Sequence, residues 1–221
     1  MKSVTIIGIL ATAIVANAAV TIQFEVESLR DSNQLPVQDG TPWFLVADSN
    51  RDGIFPGEDA LLNKTLASGV DIFGDRVFAS GTTNSAEGNL GRANISATFS
   101  IVSDLGFSED GEQVNQKWAI YWFPGLASIN SNIEAGQSFG RFHGEVVDSG
   151  SGGDSAMIFQ AAPSLTTTLY FDSEVLSDFD TPTANTPSVS DFSANFTVIP
   201  EPSSVGLALL GVLGLMARRR R

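Results

Sequence analysis

The chain has 221 residues, 43% of them apolar with fifteen Phe and three Trp, which excludes the weakly hydrophobic, highly charged composition of a disordered protein. Asp and Glu number 25 against 12 Lys and Arg, and a net charge of −13 repels nucleic acid and anionic lipid while attracting divalent cations. Cysteine is absent and His143 is the single histidine, so disulfides, thiolate chemistry and multi-histidine metal centres are excluded.

Residues 1–18 have the order of an export leader. Lys2 supplies the charged start, residues 4–15 the apolar run, and Ala16-Asn17-Ala18 a small-x-small cleavage site. The expectation is a signal helix handled by the Sec export machinery and cut by signal peptidase after Ala18. A body of about 180 residues follows, enough for one domain with a sizeable core.

Residues 19–197 read as an all-β domain, an antiparallel β-sandwich of jelly-roll-like or Ig-like type. Short apolar and β-branched runs alternate with turn residues, predicting strands at 21–26, 43–47, 65–67, 77–79, 95–102, 118–123, 140–147, 167–171 and 192–198. Between 93 and 102, Ala93, Ile95, Ala97, Phe99 and Ile101 fall on one face and Asn94, Ser96, Thr98 and Ser100 on the other, predicting one buried and one wet side. Trp118-Ala119-Ile120-Tyr121-Trp122-Phe123 is apolar on both faces, as in a central strand covered on both sides; the same aromatic strip could instead stack sugars. Residues 57–66, with Glu58 and Asp59 in the first turn, predict either the body's one short helix or a continuation of strand. Gly150 to Gly153 form a flexible loop tip, residues 180–190 an extended crossing segment, and no repeat of fixed period occurs.

The strongest local pattern is Asp48-Ser49-Asn50-Arg51-Asp52-Gly53-Ile54-Phe55-Pro56-Gly57-Glu58-Asp59. Alternate acidic or amide side chains followed by Gly, with an acid in the twelfth place, resemble an EF-hand-type calcium loop. The resemblance implies side-chain oxygens from Asp48, Asn50 and Asp52, the Ile54 carbonyl, and Asp59 closing the shell around calcium. The pattern departs from the loop type in its final Asp, in Pro56-Gly57, and in following a strand rather than a helix; a polar turn is the plainer reading. The acids Glu109, Asp110, Glu112, Asp172, Glu174, Asp178 and Asp180 lack ligand spacing and read as solvated. No nucleophile elbow, dinucleotide or phosphate loop is present, and a Ser-His-Asp triad would rest wholly on His143, so no catalytic residue is assigned and the body reads as a non-enzyme.

The tail begins Val198-Ile199-Pro200-Glu201-Pro202-Ser203-Ser204. An uncharged segment, residues 203–217, follows with Val205, Leu207, Leu209, Leu210, Leu213 and Leu215, and it runs into Arg218, Arg219, Arg220 and Arg221. As a helix this span covers about 22 Å against roughly 30 Å of hydrocarbon, a short transmembrane helix whose arginines stay on the cytoplasmic side. The three parts together resemble a PEP-CTERM sorting signal. That resemblance implies a bacterial envelope protein, transiently anchored in the inner membrane, then released to the cell surface by an exosortase-type enzyme; the family is also associated with exopolysaccharide and biofilm. Loss of Lys2 and the terminal arginines leaves a body near −18. The expected role is structural or interactive at the cell surface or extracellular matrix, the alternatives being an exopolysaccharide-binding module or a polysaccharide-active enzyme.

Overall fold

The computed structural model describes residues 19–26, 29–85, 90–108, 112–143, 157, 159, 166–172 and 192–200. Among the described residues nine strands run in chain order: β1 (Ala19–Val26), β2 (Pro42–Ala47), β3 (Asp71–Ile72), β4 (Asp75–Thr82), β5 (Ala93–Ser100), β6 (Trp118–Trp122), β7 (Ser138–Phe142), β8 (Thr166–Asp172) and β9 (Phe196–Thr197). They form a three-stranded sheet ordered β5-β1-β8 and a six-stranded sheet ordered β3-β4-β2-β6-β7-β9. The result is the expected β-sandwich, antiparallel except where β8 joins β1 in parallel.

Period-two patterning builds the space between the sheets. Val20, Ile22, Phe24 and Val26 of β1 face Trp43, Leu45 and Ala47 of β2 and Trp118, Ile120 and Trp122 of β6, all buried in one cluster. β5 behaves as its alternation predicts: Ala93 and Phe99 are buried, while Asn94, Ser96 and Thr98 lie in solvent. On the wet face Thr98 opposes Thr21, and their hydroxyls meet at 2.8 Å. Large indoles need room on the neighbouring strand. Gly140 provides it, because a Cβ there would lie 2.0 Å from the Trp122 ring. Between Leu45 and Val46 the β2–β4 register shifts, which leaves Phe78 and Ala79 both in the inter-sheet core while Val77 faces the opposite way.

The other face of the six-stranded sheet is also apolar. Phe44, Val46, Ala119, Tyr121 and Phe139 are covered there by Phe55, Leu61, Leu66, Leu126 and Ile133 from connecting segments. β6 is therefore buried on both faces, as its composition predicts, and the Trp118 to Phe123 strip is core rather than a sugar platform.

Two local expectations fail. The helix over 57–66 is replaced by turns, and the strand over 65–67 does not form. Asn63, at φ 59, turns the chain so that its N–H reaches Ile133 O at 2.8 Å, and Leu61 and Leu66 then both drop onto the sheet. The expected strand at 192–198 contracts to β9, with Ser193 making an isolated bridge to Arg30. The signal helix, the tail beyond Pro200, residues 144–147 and the loop at 150–153 lie outside the described residues.

Candidate functional site

The candidate loop starts where β2 ends. Asp48 is 1% exposed; its N–H donates to Lys117 O at 3.0 Å, so the first loop residue is pinned to the entry of β6. Its Oδ2 accepts the Gly53 N–H at 3.0 Å, closing the loop over the carboxylate. Two smaller turns are nested inside. Asn50 Oδ1 accepts the Asp52 N–H at 3.0 Å, and Asp52 Oδ1 accepts the Ile54 N–H at 2.7 Å. Arg51 and Gly53 take left-handed backbone conformations, φ 63 and 74, which bring these three side chains into successive turns.

A second element meets the loop. β3 and β4 form a hairpin whose tip, Phe73-Gly74, has φ 55 and 94. Asn50 Nδ2 donates to Phe73 O at 3.1 Å and holds this tip against the loop. A Cβ at Gly74 would come within 3.0 Å of Asn50 Cβ and Nδ2, so glycine there permits the close approach. A bulky residue in the left-handed region is uncommon, and Phe73 is 65% exposed. The next residue, Asp75, is 1% exposed and stands beside the loop. Burial pushes its carboxyl up to about 7, the charges of Asp48 and Asp52 add to this, and backbone N–H bonds from Asn50 and Ser49 act in the opposite direction.

Asp48 Oδ1 and Asp75 Oδ1 are both buried without a hydrogen-bond partner. Neighbouring cations are engaged elsewhere: Arg76 pairs with Asp71 at 2.7 Å, and Arg51 with Glu112 at 3.5 Å. Among the described residues no three carboxylate or imidazole groups are grouped so as to hold a metal by themselves. Any bound cation must take part of its shell from amide and carbonyl oxygens or water, as calcium commonly does.

The structure thus brings Asp48, Asn50 and Asp52 into one nested turn. Ile54 exposes 70% of its surface, with its side chain outward. Asp59 bonds locally, its Oδ1 accepting the Ala60 N–H at 2.9 Å. The stretch between is fastened to the sheet: Tyr121 Oη donates to Pro56 O at 2.9 Å and Arg141 Nη1 to the same carbonyl at 3.2 Å. Sequence reasoning missed Asp75. Its one signal is weak, a glycine two positions after the apolar Ile72, marking a hairpin tip with an acid just beyond it. His143 lies at the exposed end of β7 with its ring 5.2 Å from that of Phe55; burial, then the charges of Arg141 and Lys117, hold its pKa below the ordinary value.

The end of the described chain returns to this region. Val198 is buried in the outer core, its N–H donating to Gln137 O at 2.9 Å, while the Ile199 N–H donates to Glu58 O at 3.3 Å. Compared with known families, residues 198–221 match the PEP-CTERM protein-sorting motif. They are a PEP-CTERM sorting tail. The PEP-CTERM tail marks an exported protein sorted by an exosortase, anchored transiently in the membrane on its way to the cell surface. No curated protein and no solved structure matches the chain. Among the described residues no helix is long and apolar enough to cross a membrane, and the expected anchor at 203–217 lies outside them.

Proposed function

We propose that the exported body is a non-catalytic structural or interaction domain of the cell surface or extracellular matrix, with calcium holding the loop of residues 48–59. The tail carries the surface assignment. Its test is fractionation of cells producing the full-length chain: wild type should accumulate at the outer surface as a shortened species. Replacement of Pro200, Glu201 and Pro202 by Ala should leave it unprocessed in the inner membrane, and equal surface display of both would refute the assignment.

The calcium part rests on Asp48, whose buried, unpartnered Oδ1 lies under a loop already folded around its other oxygen. Asp48, Asn50, Asp52 and the Ile54 carbonyl would hold the ion, which supplies charge neutralisation and ties the loop to β2; Asp59 would join them from the end of the loop. Melts of the intact protein with calcium and with chelator test this. A rise in Tm with calcium, absent in Asp48→Ala, supports it, and identical melts refute it.

The exopolysaccharide-binding alternative gains no support from the tryptophans. Trp43, Trp118 and Trp122 are all buried, so none presents a face to a sugar. The non-catalytic reading treats His143 as an exposed residue just after β7 and assigns no acid–base pair.

A further inference from the structure

We infer that Asp75 is a ligand of the cation site, so that one calcium-class divalent ion sits between Asp48 and Asp75 and joins the loop of residues 48–53 to the β3–β4 hairpin. The inference rests on the reading that the loop holds a cation and adds a residue that its sequence pattern does not contain.

Two carboxylates, each 1% exposed and each with an Oδ1 lacking a partner, lie on elements that pack against one another. Like charges in such a setting are expensive unless a cation or a shared proton compensates them. No protein cation does so through an ion pair among the described residues. Arg76 is adjacent to Asp75 in the chain, yet its guanidinium reaches Asp71 Oδ1 and Ser103 O. Arg51, within the loop itself, points to Glu112. Charge of the required sign is therefore missing from the middle of the cluster.

The hairpin is built to present Asp75 rigidly. Its tip is clamped by the Asn50 amide, and Asp75 pairs with Ile72 across the turn, so the carboxylate reaches the loop without a flexible linker. The oxygens differ in availability. Asp48 and Asp75 each have one uncommitted oxygen. Amide and carbonyl oxygens with water complete the six to eight that calcium takes. A hard ion seated here would bridge β2 to β4 instead of merely closing a loop.

The test is calcium titration by calorimetry on the full-length chain in non-ionic detergent, with Asp48→Asn and Asp75→Asn beside wild type. Wild type should bind one ion. Asp48→Asn and Asp75→Asn should each lose affinity by at least the roughly 10–100-fold that perturbing a metal's ligand environment costs. Near-UV dichroism from the buried tryptophans verifies that Asp75→Asn is folded, and its Tm in chelator should equal or exceed that of wild type. Undiminished binding by Asp75→Asn with loss in Asp48→Asn overturns the inference and leaves the loop reading standing. No binding by wild type overturns both.

Discussion

Asp75 gives the sharpest stability prediction. Without a cation, its carboxyl titrates at about 7 in the folded chain against 3.8 as a free side chain. Between these values the native state keeps a proton that the unfolded chain has released, so the contribution of Asp75 to stability is greatest at low pH and disappears as pH rises through 7. Linkage with these two values makes the contribution about 2–3 kcal/mol smaller at about pH 8 than at about pH 5. The remaining acids contribute their own pH dependence, so the informative quantity is a double difference. Urea unfolding in chelator, for wild type and Asp75→Asn at both pH values, should show the variant gaining about 2–3 kcal/mol relative to wild type on going to the higher pH. Asparagine keeps the shape and removes the charge. A double difference within about 0.5 kcal/mol of zero would show that the carboxylate is not held in an uncompensated, desolvated setting, and the reasoning would fail.

Three further outcomes follow from single contacts. Gly140→Ala places a methyl group 2.0 Å from the Trp122 ring, and overpacking should lower stability by about 1–3 kcal/mol; a urea midpoint unchanged from wild type contradicts this. Tyr121→Phe removes the donor to Pro56 O but leaves Arg141 on that carbonyl, so the loss should stay near 0.5–1.5 kcal/mol, and a larger fall in chemical unfolding would show that the hydroxyl holds more than residues 55–56. His143 should titrate below 6.5 by NMR, and Arg141→Gln should raise its midpoint; a midpoint at or above 6.5 in wild type would contradict the desolvation assigned to its contact with Phe55.

The layers of the sandwich were legible because burial writes itself into spacing. β5 shows one wet face as strict alternation, and β6 shows two dry faces as an unbroken apolar run. The misread segment shows where that logic ends. Glu58 and Asp59 imitate the acidic first turn of a helix, yet Leu61 and Leu66 are five positions apart, which on a helix would point them about 140° from each other. Their shared burial on the sheet requires an irregular chain, which Asn63 supplies by taking a positive φ. The nested turn of Asp48, Asn50 and Asp52 was visible as a contiguous motif. Asp75 was not, because it reaches the same point from another strand, through a register and a hairpin tip that local pattern does not encode.

The tail shows the same dependence on tertiary structure from the other direction. Its motif is recognised from local sequence alone and begins at Val198, yet Val198 is a buried residue of the outer core and bonds to Gln137 and Gly136 through both backbone groups. Address and fold therefore overlap by at least one residue instead of being separated by a spacer. Ile199 continues the overlap by donating to Glu58, a residue of the 48–59 segment, and Pro200 follows in solvent. Because proline has no N–H, strand pairing cannot continue through Pro200 as it does through β9. β9 itself ends at Thr197, and the two residues before Pro200 make the last backbone bonds of the described chain, to Gln137 and Glu58.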